Sequence, residues 1–239
     1  KVTGCTLAEA YGLTETSPIT HFNRPWSIKP GTVGHAIRGT ETRIADDGEL
    51  LIRGPQVMAG YYKNEAATRE VFTDDGFFRT GDIGLIDEDG CLKITGRIKD
   101  IIVTAGGKNI SPQNIENSIK DSRFIEQVAI IGDRRKFLSA LVVPSFPDME
   151  AWAAQQGISF NTTTDLLTNA KVLELYRSEI DERTAQFARV EQIRKFTLIK
   201  AEWTQLTGEL TPTQKIKRRV IEKKYAAEID AMYADETGD

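Results

Sequence analysis

Between Gly96 and Pro112 the chain reads Gly-Arg-Ile-Lys-Asp-Ile-Ile-Val-Thr-Ala-Gly-Gly-Lys-Asn-Ile-Ser-Pro, and this run separates two textures of sequence. A basic pair, Arg97 and Lys99, and the acid Asp100 lead into β-branched residues, and Ile101–Thr104 predicts a short buried strand. The double glycine Gly106-Gly107 suits a turn, and Ser111-Pro112 is a cap followed by proline at the first helical position. Upstream, from about residue 25 to 95, short strands alternate with tight turns. Glu41–Ala45 and Glu49–Arg53 flank Asp46-Asp47-Gly48, and Ile83–Ile86 and Cys91–Thr95 flank Asp87-Glu88-Asp89-Gly90. Both read as hairpins, because Asp-Gly tolerates positive φ. Asn64 caps a short helix running towards Val71. Strands at this spacing predict a small barrel or distorted sheet.

Downstream the pattern is mixed. Ile115 and Ile119 lie one helical turn apart, and Gln127–Ile131, Ser139–Pro144 and Ile193–Leu198 predict three strands. Leu173, Tyr176 and Ile180 mark one face of a helix over residues 169–186. A last helix is predicted from near Lys215, with Ile216, Val220, Tyr225, Ile229 and Met232 as its apolar stripe. The acidic tail Ala234–Asp239 is expected to fray. The expected fold class is α+β, with the end of a large domain over residues 1–97 as a barrel-like subdomain. A compact α+β domain follows over residues 98–239, with the boundary at Arg97–Lys99. Because the chain opens Lys1-Val2-Thr3-Gly4-Cys5 and runs straight into a motif, it reads as a fragment of a longer protein.

Composition narrows the classes. A net charge of −4 over 239 residues argues against a general nucleic-acid binder. The basic residues after Lys215 have no interleaved aromatic until Tyr225, which weakens that reading further. Cys5 and Cys91 form no CxxC, and His21 and His35 read as plain loop residues, so neither a disulfide framework nor a zinc site is expected. A reducing cytoplasm is the simplest compartment. No apolar run approaches the roughly 20 residues of a membrane span.

Three short segments carry chemistry. In Tyr11-Gly12-Leu13-Thr14-Glu15, Gly12 lets backbone approach a ligand and Tyr11 offers a flat face to a purine. Thr14 offers a hydroxyl to a phosphate, and Glu15 is a hard oxygen ligand suited to Mg²⁺. In Thr80-Gly81-Asp82, the carboxylate behind a tight turn can accept from paired hydroxyls. The hairpin between them puts Asp82 and Arg97 at opposite ends of paired strands, and the guanidinium fork of Arg97 suits paired oxygens. Leu210-Thr211-Pro212-Thr213-Gln214-Lys215 places an ammonium ahead of the basic residues Lys217, Arg218, Arg219, Lys223 and Lys224, which read as a solvated helix face. Gly48–Gly54 and Gly60-Tyr61-Tyr62 read as structural.

In this order, these segments resemble the motifs of the adenylate-forming superfamily of acyl-CoA synthetases, luciferases and peptide-synthetase adenylation domains. The Thr-Pro-Thr-x-Lys form is similar to that of long-chain acyl-CoA synthetases in particular. Gln214 stands where the family pattern has glycine, and Lys215 aligns with the catalytic lysine. The resemblance implies fatty acid, ATP and CoA as substrates, AMP as product, and Mg²⁺ as cofactor. By resemblance Asp82 and Arg97 hold the ribose and phosphate, and Lys99 is the hinge about which the C-terminal domain rotates. Gly106 and Gly107 line the pantetheine tunnel. A phosphate loop for the β- and γ-phosphates is absent from the 239 residues, so the chain alone is expected to be inactive. Rival readings are a fatty acyl-AMP ligase serving a carrier protein, which the continuous run Arg97–Asn109 disfavours, and a non-catalytic interaction module. Acyl chain length, oligomeric state and peripheral membrane contact stay open.

Overall fold

A computed structural model describes residues 4–234, which divide into two compact units, residues 1–100 and 101–239. The chain is α+β. The tail after Ala234 and the first three residues lie outside the described residues.

In the first unit β1 (Ala10–Tyr11), β2 (His21–Phe22) and β3 (His35–Ala36) pair antiparallel in that order. The strands β4 (Glu41–Ile44) and β5 (Glu49–Arg53) precede the helix α1 (Glu65–Glu70), and β6 (Phe78–Ile86) and β7 (Leu92–Arg97) follow it. β4 to β7 form one antiparallel sheet in chain order. Gly48 and Gly90 take φ of 85° and 78°, as the two Asp-Gly turns require. The Asn64 side chain accepts from Ala67 N at 3.1 Å and so caps α1. This sheet is open rather than a closed barrel, with β4 and β7 at its edges; closing a barrel around side chains takes about eight strands. Leu50, Ile52 and Leu92 make its buried centre. His21 is no loop residue. It is 2% exposed, with Thr20 and Thr42 hydroxyls at its two ring nitrogens, and burial pushes its pKa down to about 4.

The second unit opens on a small hairpin, β8 (Ile102–Val103) and β9 (Asn109–Ile110), followed by α2 (Pro112–Lys120). The predicted strand over 101–104 is thus only two residues long, and of these Ile102 is buried while Val103 is exposed. Next come β10 (Ile125–Ile131), β11 (Leu138–Pro144), α3 (Phe146–Gln155), α4 (Thr163–Leu166), α5 (Ala170–Thr184) and β12 (Ile193–Leu198). β10 pairs antiparallel with β11, and β12 joins β11 in parallel after the helical crossover. All seven residues of β11 are buried, as expected of a central strand covered on both faces. Leu138, Ala140 and Val142 pack with Ile115, Ile119, Met149, Tyr176 and Ile180; Leu141 and Val143 pack with Trp203, Ile221, Tyr225 and Ile229.

The C-terminal helix departs from expectation. It begins at Arg218, not near Lys215, and comprises α6 (Arg218–Lys224) and α7 (Ala226–Tyr233), broken at Tyr225. Tyr225, Ile229 and Met232 are buried as the stripe predicts, but Val220 is 39% exposed and Ile221 is buried in its place. Among the described residues no helix is long and apolar enough to cross a membrane.

Candidate functional site

The loop after β1 is closed by Thr16, whose hydroxyl accepts from Leu13 N at 2.9 Å and lies 3.0 Å from both Leu13 O and Pro18 O. Gly12 packs against the returning chain, and a Cβ there would sit 1.5 Å from the Pro18 carbonyl oxygen. The close approach this glycine permits is to its own loop. Thr14 opens a short 3-10 turn and is exposed. Glu15 accepts the Tyr61 phenol at 3.0 Å, so the Gly60-Tyr61-Tyr62 segment reaches a candidate metal ligand.

Tyr11, Asp82 and Arg97 come together. Asp82 Oδ2 accepts the Tyr11 phenol at 2.6 Å, and Asp82 Oδ1 accepts Arg97 Nε at 2.9 Å. β6 and β7 place Asp82 directly opposite Arg97 in register, so the two sit side by side and not at opposite ends of the pair. The hairpin predicted from Ile83 and Thr95 is longer than its apolar core, and its extra residues align the two charges. The Asp82 carboxylate is almost buried and the guanidinium half exposed. Burial, helped by the bond to Asp82, pushes the Tyr11 phenol far above the ordinary tyrosine range. Gly81 at φ 70° lies inside β6 where its register against β5 shifts, so the expected tight turn is instead a bulge in the strand. The Thr80 hydroxyl accepts Asp82 N at 3.0 Å while donating to Leu50 O at 2.8 Å. Glu49, buried in β5, accepts Gly81 N at 3.0 Å and pairs with Arg79 at 2.9 Å. Sequence reasoning passed over Glu49; a carboxylate flush against the apolar run Leu50–Ile52 was its one signal.

This arrangement is a carboxylate whose two oxygens already hold two donors. A ligand with neighbouring hydroxyls can replace those donors and leave both oxygens hydrogen-bonded. Among the described residues no group of three or more His, Cys, Asp or Glu is placed to hold a metal. Glu15 therefore offers a single carboxylate. That suffices for Mg²⁺ only where ligand phosphates and water complete the shell. Lys99 is exposed in the 3-10 turn Ile98–Asp100.

The other candidates lie in the second unit. Gly106 and Gly107 turn the β8–β9 hairpin, with Gly107 N on Thr104 O at 2.9 Å and Thr104 N on Lys108 O at 3.1 Å. Gly107 has φ of 73° and open space where a Cβ would point. Lys215 is exposed on a compact loop. Thr211 N donates to Lys215 O at 2.8 Å, Lys215 N to the Thr211 hydroxyl at 3.0 Å, and Gln214 N to Thr211 O at 2.9 Å. Gln214 sits at φ 62°, the left-handed conformation that favours glycine. The basic residues that follow are not one solvated face. Arg218 donates to the buried Glu116 at 2.6 Å and to Ile130 O, and Lys224 pairs with the fully buried Glu209. Both anchors are separated in sequence from their partners, so helical periodicity alone makes these cations look exposed.

Residues 99–237 match the family of AMP-binding enzyme C-terminal domains, and residues 1–62 match the AMP-binding enzyme family. The chain is 43% identical, over 98% of its length, to the long-chain-fatty-acid–CoA ligase FadD15 of Mycobacterium tuberculosis, and covers 39% of that protein. It is 33% identical, over 97% of its length, to the chloroplastic long-chain-fatty-acid–[acyl-carrier-protein] ligase AEE15 of Arabidopsis thaliana, covering 33% of it. Among solved structures it resembles ATP-bound MatB from Rhodopseudomonas palustris, with TM-score 0.66 and 26% identity, over 93% of this chain and 41% of that one. The chain thus spans about two fifths of the length of the first of these relatives.

Proposed function

The chain belongs to the AMP-binding enzymes, and from that premise we propose that the complete protein is a long-chain fatty acid–CoA ligase. It would convert fatty acid and ATP to acyl-adenylate and pyrophosphate, then pass the acyl group to CoA with release of AMP. The observation that carries this reading is the Tyr11–Asp82–Arg97 group. It offers a carboxylate with both oxygens in use, the donor pattern a ribose diol can replace, beside a guanidinium suited to a phosphate. The 43% identity with FadD15 over 98% of the chain supports the fatty acid as the acid component.

In this reading Tyr11 and Gly12 border the purine, Thr14 meets the α-phosphate, and Glu15 supplies one oxygen to Mg²⁺, which would neutralise phosphate charge. Lys215 reaches the carboxylate and α-phosphate, where an ammonium stabilises charge developing in the transition state. Lys99 is the hinge, with the domain boundary at residues 97–98, and the Gly106-Gly107 turn leaves room for a thin pantetheine chain. The open space around Gly107 supports that last role. The reaction belongs in the cytoplasm, where ATP and CoA are at hand.

The test is ATP–pyrophosphate exchange by the complete protein against a ladder of fatty acids, followed by CoA or an acyl carrier protein as acceptor. Exchange dependent on long-chain fatty acid, with CoA accepted, is the expected result. Transfer to the carrier alone would move the protein to the carrier-loading class represented by AEE15. No exchange with any acid would end the ligase reading.

A further inference from the structure

Building on the assignment of Lys215 to adenylation, we propose that Glu209 and Glu116 are positioning residues, two buried carboxylates that pin the two ends of the Lys215 loop. Lys217 N donates to Glu209 O at 2.6 Å, and Leu210 bridges Ile216, so residues 209–217 close on themselves. Lys215 rides near the tip of this closed loop, and its backbone is tied on both sides to Thr211.

Each end of the closure is then tied to a charge inside the fold. At the first end the Glu209 side chain is fully buried and takes the Lys224 ammonium from the last turn of α6. Burial pushes this carboxyl up, but Lys224 and Thr207 outweigh it and hold the group below the usual carboxylate range. At the other end Arg218, the residue directly after the loop, donates to Glu116 and to Ile130 O. Glu116, on α2 and 2% exposed, also accepts Ile130 N at 2.9 Å. The pair therefore satisfies both backbone groups of one residue on β10. The loop is fixed through α6 to its own start and through Glu116 to the central sheet.

Stability alone does not explain these pairs. Replacing a buried ion pair with apolar residues of similar size is often neutral or stabilising, because desolvation consumes the attraction. What a carboxylate accepting a directed ammonium or guanidinium adds is geometry. Here that geometry belongs to the segment carrying the one lysine whose reach decides a reaction step. Glu209 is the better probe, because Lys224 is 45% exposed and stays hydrated when its partner is neutralised.

The experiment compares Glu209→Gln and Lys215→Ala in the complete protein. Adenylate formation is assayed separately from thioester formation out of preformed acyl-adenylate, and hydrogen exchange is followed by mass spectrometry. For Glu209→Gln, exchange should quicken at Gln214 and Lys217 while β10–β12 keep their protection. Adenylate formation should fall on the order of 10²-fold, the cost of about 1 Å of misplacement, and thioester formation should stay close to the parental rate. Glu116→Gln should give the same split and serves if Glu209→Gln does not fold. If Lys215→Ala cripples adenylation while both carboxylate variants leave it intact, the positioning role is wrong. Equal loss in both half-reactions, with lost protection across the sheet, would reduce the carboxylates to fold stability and also overturn it. Intact adenylation in Lys215→Ala would instead remove the lysine assignment on which the inference rests.

Discussion

Around Asp82 the charged groups meet one another directly. The carboxylate is nearly buried, its guanidinium partner is half exposed, and a phenol takes the second oxygen. Around Lys215 they are set back. The ammonium itself is exposed, while the ion pairs that hold its loop, Glu209–Lys224 and Glu116–Arg218, lie beneath it. In the first region the polar groups are already satisfied, so a ligand at the proposed site would enter by exchange. The second is an arm whose working group is free to move its tip while its base is fixed. The two regions thus place their buried charge differently, as the proposed roles of ligand binding and of a reaching lysine would require.

The strongest way to break this contrast is Arg218→Met, which leaves Glu116 buried without its cation. Breaking a buried pair from one side typically costs about 3–5 kcal/mol. Urea unfolding of the chain should show that loss in the second unit, whereas Arg97→Met should cost less, because the lost guanidinium is half exposed and the Tyr11 phenol still donates to Asp82. Equal costs would mean that the two ion pairs do not differ in kind.

Next in size is Gly12→Ala. With the Pro18 carbonyl oxygen 1.5 Å from the new Cβ, the loop must shift, at a cost of about 1–3 kcal/mol or more. Thermal unfolding of the first unit should register it. An unchanged midpoint would mean that the loop does not pack as described.

A pH series on Tyr11→Phe sharpens the picture of Asp82. Burial and the bond to Asp82 raise the Tyr11 pKa above its unfolded value. Its contribution is therefore complete below about pH 10, the unfolded tyrosine value, and is lost as pH climbs beyond it towards the folded value. Wild type should lose stability in that alkaline window and the phenylalanine variant should lose less. Parallel curves would show that the phenol is not held by the carboxylate.

Much of the first region was legible in the sequence because its signals are local. The Asp-Gly turns and the Asn64 cap depend on residues within a few positions of one another, whereas Thr80-Gly81-Asp82 reads as a turn and is a bulge in β6 set by its pairing with β5. The meeting of Tyr11 with Asp82, 71 residues apart, is settled only by the packing of β1 on the core of the separate β4–β7 sheet. The second region hid more. Arg218 and Glu116 are 102 residues apart, so nothing local marks either as buried. The helix predicted from near Lys215 starts only at Arg218 because Ile216 bridges Leu210 and Lys217 N donates to Glu209 O, contacts that nothing adjacent in the sequence marks. Gln214 stands where the resembling family pattern has glycine, and its φ of 62° is the conformation that glycine would suit. Helix Ala170–Thr184 is readable because Val172, Tyr176, Ile180 and Thr184 bury one regular face. Strand Ile193–Leu198 buries only its two ends, and its β-branched and aromatic residues mark it instead.

The central claim is that Lys215 acts in adenylate formation and that its reach ends there. The direct measurement is Lys215→Ala in the complete protein, with each half-reaction run alone. Adenylate formation from ATP and a long-chain fatty acid should fall by about 10²–10³-fold, as for loss of one electrostatic stabiliser. Thioester formation from preformed acyl-adenylate and CoA should continue at close to the parental rate. Equal losses in the two assays, or adenylation that proceeds unchanged, would contradict the account.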